Sequence, residues 1–131
     1  MDFQIDQIVT DTEISQIEFL INFNNYRIFV IEKDYYCILA INHDNLICGC
    51  FEFHQSDDEM QLAHMYVSEN HQRRGIGKAI IKQAVEILGS FLLPSNNSRN
   101  TYYYIEFGYS FIVSCFEDGI LKSPAFRHPY D

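Results

Sequence analysis

Seven consecutive residues, Gln72-Arg73-Arg74-Gly75-Ile76-Gly77-Lys78, hold the residue types from which an anion site is built. The arginines and the lysine supply charge. The two glycines carry no Cβ, so a phosphate can come close to the backbone. The apolar run before them, residues 60–67, has strand length and an aromatic, β-branched end. After them, Ile76, Ile80, Ala84, Val85 and Leu88 make one helical stripe, with Lys78, Lys82 and Glu86 opposite. In the order strand, cationic glycine loop, helix, the first N–H groups of the helix have no intrahelical acceptor, and the positive end of its dipole adds to them. Residues 60–88 therefore predict a pyrophosphate cradle. The alternative for Arg73 and Arg74 is a solvated basic loop.

The two commoner nucleotide loops do not fit. A dinucleotide fingerprint needs glycine where Ile80 stands. A P-loop needs glycine at Gln72 and a hydroxyl at Ala79 to hold magnesium. The run does match [Q/R]-x-x-G-x-[G/A]. With its strand and helix, the segment resembles the acetyl-CoA loop of the GNAT acetyltransferase superfamily. Downstream, Asn97, Tyr104, Gly108 and Tyr109 match the family's N-x(6)-Y-x(3)-G-[FY] signature, and Gly49 resembles a glycine common in its β-meander. The resemblance spans residues 35–117, and the first 34 residues share only element order with the family.

The resemblance implies acetyl-CoA or another acyl-CoA as co-substrate, no metal, and direct attack of a primary amine on the thioester. The backbone of Gln72, Arg73, Arg74, Gly75, Ile76, Gly77 and Lys78 would bind the pyrophosphate. Met65, Tyr66 and Val67 would hydrogen-bond the pantetheine arm, in a splay between their strand and residues 90–93. Asn97 would reach the pantetheine or the phosphate end. Tyr104, at the cofactor, would be the acid for the leaving thiolate, since a phenol is protonated at neutral pH. A backbone N–H near Val67 would meet the developing oxyanion. The positions at which many members carry a base are Gln61 and Ala63, and neither takes a proton. Alternation places His64 on the opposite face from both. Glu52, His54 and Glu59 in the meander are the candidates for base, with Glu52 placed first and a water chain as the other route. A catalytically impaired acyl-CoA-binding or protein-interaction module is the alternative function that Gln61 and Ala63 favour.

Composition sets the frame for these residues. With 131 residues and 47% hydrophobic content, the chain reads as one domain over 1–131 with a real core. A net charge of −9 argues against a nucleic-acid partner. Four of the nine cations fall at Arg73, Arg74, Lys78 and Lys82, which points to a local anionic ligand. The acidic remainder serves solubility or attracts a cationic acceptor: a small amine such as a polyamine or aminoglycoside, or a protein lysine or N-terminus. A homodimer is the assembly to test. No stretch is apolar over 18 residues and the N-terminus lacks a basic leader region, so no membrane partner and a cytoplasmic location are expected. Cys37, Cys48 and Cys50 lie in strand-like runs and read as small hydrophobes, with Cys48 and Cys50 on one face by alternation. No second Cys/His pair has metal-ligand spacing.

The elements that must carry these residues follow from periodicity. Residues 3–9 predict a strand and 11–23 an amphipathic helix ended by asparagines. Residues 26–31 suit a strand or a short helix. Residues 36–41, 46–54 and 60–67 predict an antiparallel meander, with Gly49 marking a bulge or a close approach. After the helix that Gly89 ends come a short strand at 90–93, a short helix at 100–107, and a strand at 109–117 that turns at Asp118-Gly119. The sum is an α/β (α+β) fold, a mixed and mostly antiparallel central sheet with helices on both faces, GNAT-like.

Overall fold

The computed structural model describes residues 3–4, 16–32, 34–93 and 106–126. Strands β2 (Gln16–Phe23), β3 (Tyr26–Glu32), β4 (Tyr36–Ile41), β5 (Leu46–Ser56) and β6 (Glu59–Val67) form an antiparallel meander, each paired with the next. The short β1 (Phe3–Gln4) pairs with the start of β5, on the edge that β6 occupies further along. The turns use residues that tolerate the left-handed region: Asn24, Asn45 and Asp57 have φ of 52°, 63° and 53°. The Asn42 side chain braces its turn by accepting from the N–H groups of Asp44 and Leu46, at 2.9 and 3.0 Å. After β6 come a single 3-10 turn, Glu69–His71, then α1 (Ile76–Leu88) and α2 (Glu106–Glu117). No described helix is long and apolar enough to cross a membrane.

Both described helices pack on one face of the sheet. Ile28, Val30, Ile38, Phe51, Phe53 and Leu62 face Ile76, Ile80 and Ala84 of α1 and Ile112 and Cys115 of α2, all buried. On the other face Ile31, Cys37, Leu39, Ile41 and Ile47 form a second buried cluster. The helix sits close to the sheet at Gly49. A Cβ there would lie 2.9 Å from Ile76 Cγ2 and 3.1 Å from Ile80 Cδ1. The neighbouring Cys48 is an extra residue in the β4–β5 ladder, because Ala40 pairs with Gly49 and Ile41 with Ile47. Gly49 is therefore both beside a bulge and at a close approach.

Extra residues also stand at Leu20 in β2 and Ala63 in β6. An inserted residue sends the side chains beyond it to the opposite face. This changes three sequence expectations. Cys48 is buried in the helix-side core whereas Cys50 packs against the second cluster, so the two thiols do not share a face. His64 pairs with Glu52 while Gln61 pairs with His54, so His64 and Gln61 share a face rather than opposing each other. In β2, Ile17 and Phe19 pair with Ile31 and Phe29, but beyond Leu20 it is Ile21 that pairs with the buried Ile28. The apolar residues thus fall on both parities and imitate helical spacing. The segment expected to be a helix is a strand from Gln16, and residues 26–31 lie in β3.

The C-terminal half departs from expectation in a second way. Glu106–Glu117 is a helix where a strand was expected at 109–117. Gly108 lies inside it instead of ending one. Asp118-Gly119 closes the helix rather than turning a hairpin: Gly119 has φ 74°, its N–H reaches Phe116 O at 3.0 Å, and the Ile120 N–H reaches Cys115 O at 2.9 Å. That pair of bonds is a Schellman cap. Residues 5–9 of the first expected strand and 100–105 of the expected short helix lie outside the described residues.

Gly49→Ala is expected to lower unfolding free energy by about 1–3 kcal/mol, the usual cost of overpacking a filled core. Urea denaturation checks this, and an unchanged midpoint would show that α1 does not depend on the contact.

Candidate functional site

The loop between β6 and α1 is shaped by backbone before charge. Gly75 is the N-cap of α1 with φ 82°, and Arg73 takes φ 65°. The first intrahelical bond runs from the Ala79 N–H to Gly75 O at 3.0 Å. The N–H groups of Ile76, Gly77 and Lys78 precede it and point out of the helix end, an arrangement that, with the dipole, can receive an anion. The dipole alone is worth about 0.3–1 kcal/mol, so the convergent N–H donors and cations matter more. Gln72 ties the loop to the strand, its Nε2 donating to Val67 O at 3.1 Å. Gly75 also lies against Phe23, whose Cζ would be 3.2 Å from a Cβ there.

In front of this loop lies a cleft of about 340 Å³. Met65, Tyr66 and Val67 of β6 line it, as do Gln72, Arg73, Gly75, Ile76, Gly77 and Lys78. Arg74 is exposed beside it and is not part of the lining. Phe51, His71, Ser110, Phe111 and Ser114 also line it, and sequence reasoning missed all five. Phe51 was hidden by the extra residue Ala63, because an unbroken count sets it opposite His64 and not Met65. The α2 residues were hidden because their segment read as a strand. Gly77 has a role not foreseen: a Cβ there would stand 2.8 Å from the Phe111 ring, so its bareness lets α2 close on α1. His71 is held by Tyr26, the buried hydroxyl lying 2.7 Å from Nδ1.

β6 has a second neighbour. Leu92 is bridged to Gln61 in parallel, with bonds from the Leu62 N–H to Leu92 O and from the Leu92 N–H to Met60 O, at 2.9 and 2.8 Å. This contact is a single bridge rather than the strand expected at 90–93. Among the described residues the ladder ends at Leu62, beside the extra residue Ala63. β6 runs on to Val67 along the cleft, so the sheet is split there.

Lys78 is held in an ion pair with Asp118, at the end of α2, with Nζ 2.5 Å from Oδ2. The pair is partly solvated. Cys115 lies fully buried next to it, and its thiol is pushed up to about 12, mainly by burial, with Asp118 adding and Lys78 opposing. No disulfide joins the four cysteines, though the sulfurs of Cys37 and Cys50 lie 3.0 Å apart.

Glu52 is not in the cleft. Its neighbours Phe51 and Phe53 are buried on the helix side, so its carboxylate faces the other way. Its Oε1 lies 3.1 Å from His54 Nε2, and His64 stands opposite it across the ladder. The Tyr35 ring stacks on His54 at 4.5 Å, nearly parallel. This cluster flanks the point where the sheet splits, so it and the cleft lie on opposite sides of one opening. Asn97 and Tyr104 lie outside the described residues.

Residues 24–110 match the profile of the acetyltransferase (GNAT) domain, which covers most of the chain. No curated protein matches it.

Burial of Cys115 gives a pH signature. A thiol held at about 12 in the fold and near 9.0 when exposed contributes stability that is fully present below pH 9 and is lost as the pH climbs toward 12. The loss is at most about 1.4 kcal/mol per pH unit. Unfolding free energies across that window should fall less steeply for Cys115→Ala than for the parent. Parallel slopes would contradict the placement.

Proposed function

The chain belongs to the GNAT acetyltransferase family, and we propose that it carries the acetyl group of acetyl-CoA to a primary amine on a cationic acceptor. GNAT domains in general use acetyl-CoA as co-substrate. The observation that carries the finer reading is the split at Leu62, with an anion-receiving helix end on one side and a carboxylate–histidine cluster on the other. In this reading one domain over residues 1–131, in the cytoplasm, performs the transfer.

The chain's residues then divide the work. The N–H groups of Ile76, Gly77 and Lys78, with Arg73 and the Lys78 ammonium, hold the pyrophosphate. The backbone of Met65, Tyr66 and Val67 takes the pantetheine arm as a further strand in the split, and Asn97 reaches that arm or the phosphate end. An alkylammonium is protonated at neutral pH and cannot attack. Glu52, hydrogen-bonded to His54, takes its proton on the far face. The amine nitrogen bonds to the thioester carbon, an N–H near Val67 meets the oxygen, the carbon–sulfur bond breaks, and Tyr104 gives the thiolate its proton; the nitrogen then sheds its second proton to water, which returns one to the tyrosinate and leaves a neutral amide and a thiol. The acidic surface, net −9, gathers a cationic acceptor to that face.

Acetyl-CoA should raise the melting temperature, and at 100 times its Kd the gain is about 2.7 kcal/mol. Thiol release over a panel of polyamines, aminoglycosides and lysine peptides should show turnover with at least one. Glu52→Gln should lower kcat by about 100-fold or more, and Tyr104→Phe likewise, with acetyl-CoA binding kept. Absence of any thermal shift would sink the reading. Binding without thiol release from any amine would leave a binding module, the outcome consistent with Gln61 and Ala63.

A further inference from the structure

The Glu52, His54 and His64 cluster has a property that proton transfer does not use. One donor atom from each residue lies within 4.8 Å of those of the other two. The Glu52 Oε1 to His54 Nε2 edge is already 3.1 Å, and the rings of His54 and His64 meet edge-on at 6.0 Å between centres. We propose that Glu52, His54 and His64 form a binding site for a transition-metal dication of the zinc class.

The donor set selects the class. Two imidazoles and a carboxylate suit Zn2+ and its first-row neighbours, whereas Mg2+ and Ca2+ prefer oxygen throughout. Zinc bonds of about 2.0–2.1 Å in a tetrahedron place ligand atoms about 3.3 Å apart. The Glu52–His54 edge meets that spacing as it stands. His64 is exposed, so turning its side chain closes the other two edges. Three protein ligands leave the fourth position open to water.

Two features of the fold assemble the site. The extra residue Ala63 brings His64 to this face; continuing the Leu62–Phe53 register without it would put His64 opposite the buried Phe51. The stacked Tyr35 fixes the plane of the His54 ring, as outer partners commonly do for ligand histidines. The net charge of −9 favours cations at the surface. Cys48 and Cys50 are not among the ligands. One consequence rests on the acyltransferase reading: a bound dication occupies the Glu52 lone pairs that would accept the ammonium proton, so metal occupancy suppresses turnover.

The test uses the full-length, untagged chain, stripped with chelator and titrated with Co2+. One equivalent should produce visible d–d absorption, and Zn2+ should bleach it. His64→Ala and Glu52→Gln, shown by circular dichroism to be folded, should each weaken binding by at least about tenfold, the scale on which even an outer partner matters. His43→Ala, at an exposed turn, should bind as the parent does. No band in the parent, or equal affinity in parent, His64→Ala and Glu52→Gln, would overturn the site. In thiol-release assays Zn2+ should inhibit the parent and chelator should restore it; a bound metal without inhibition would overturn the suppression. A stoichiometric band with no turnover under any metal condition upholds the site and counts against the acyltransferase reading instead.

Discussion

A methyl group at position 49 would stand 2.9 Å from Ile76 Cγ2, inside the distance at which carbon atoms repel. The depth at which α1 rests on the sheet therefore depends on glycine at that point. Ile76 is the first residue of α1, so the same contact sets where the helix begins. That start lies beside the end of β6, because Gly49 pairs with Val67. One missing side chain thus places the outward-pointing amides of Ile76, Gly77 and Lys78 next to the strand that lines the cleft. A second, at Gly77, does the same for α2 by leaving room for Phe111. The cleft is a space between three elements, and two glycines set the separations.

The sheet works as a partition. The described helices and the cleft occupy one side, and Glu52, His54 and His64 the other. Hydrogen bonding seals the two sides from each other everywhere along β5 and the first part of β6. Among the described residues the outer edge of β6 is bonded no further than Leu62, and Ala63, the residue that fits no register, stands at the edge of the opening. The bulge therefore selects which side chain borders the gap. Such positions are held by pairing on either side of them and not by their own chemistry.

How much of this was legible in sequence follows from the same feature. The meander, the Gly49 contact and the loop at 72–78 were readable, because each is local: alternation, a glycine inside a strand, and a cationic turn before an amphipathic stripe. What failed was inference across an inserted residue. Period-2 reasoning assumes an unbroken count, and Leu20, Cys48 and Ala63 each break it. Leu20 turned β2 into an apparent helix, Cys48 parted two thiols assigned to one face, and Ala63 moved His64 beside Glu52. No composition rule marks a leucine, a cysteine or an alanine as an extra residue, because pairing with the neighbouring strand makes it so. The α2 error has another source. Tyr109, Phe111, Ile112 and Val113 have strand propensity, and packing against Gly77 and Phe51 outweighs it.

The Lys78–Asp118 pair gives the cleft a particular kind of charge balance. On the proposed reading, an anion at the end of α1 would not meet an uncompensated cation there; it would take Lys78 over from a carboxylate. The event is an exchange of one negative partner for another, closer to an ion-exchange resin than to a vacant charged socket. Added salt weakens the resident pair and the incoming one together. Affinity for an anion at this end of the cleft would therefore depend on ionic strength more gently than its count of cations suggests, and its selectivity would rest on the fixed directions of the backbone amides.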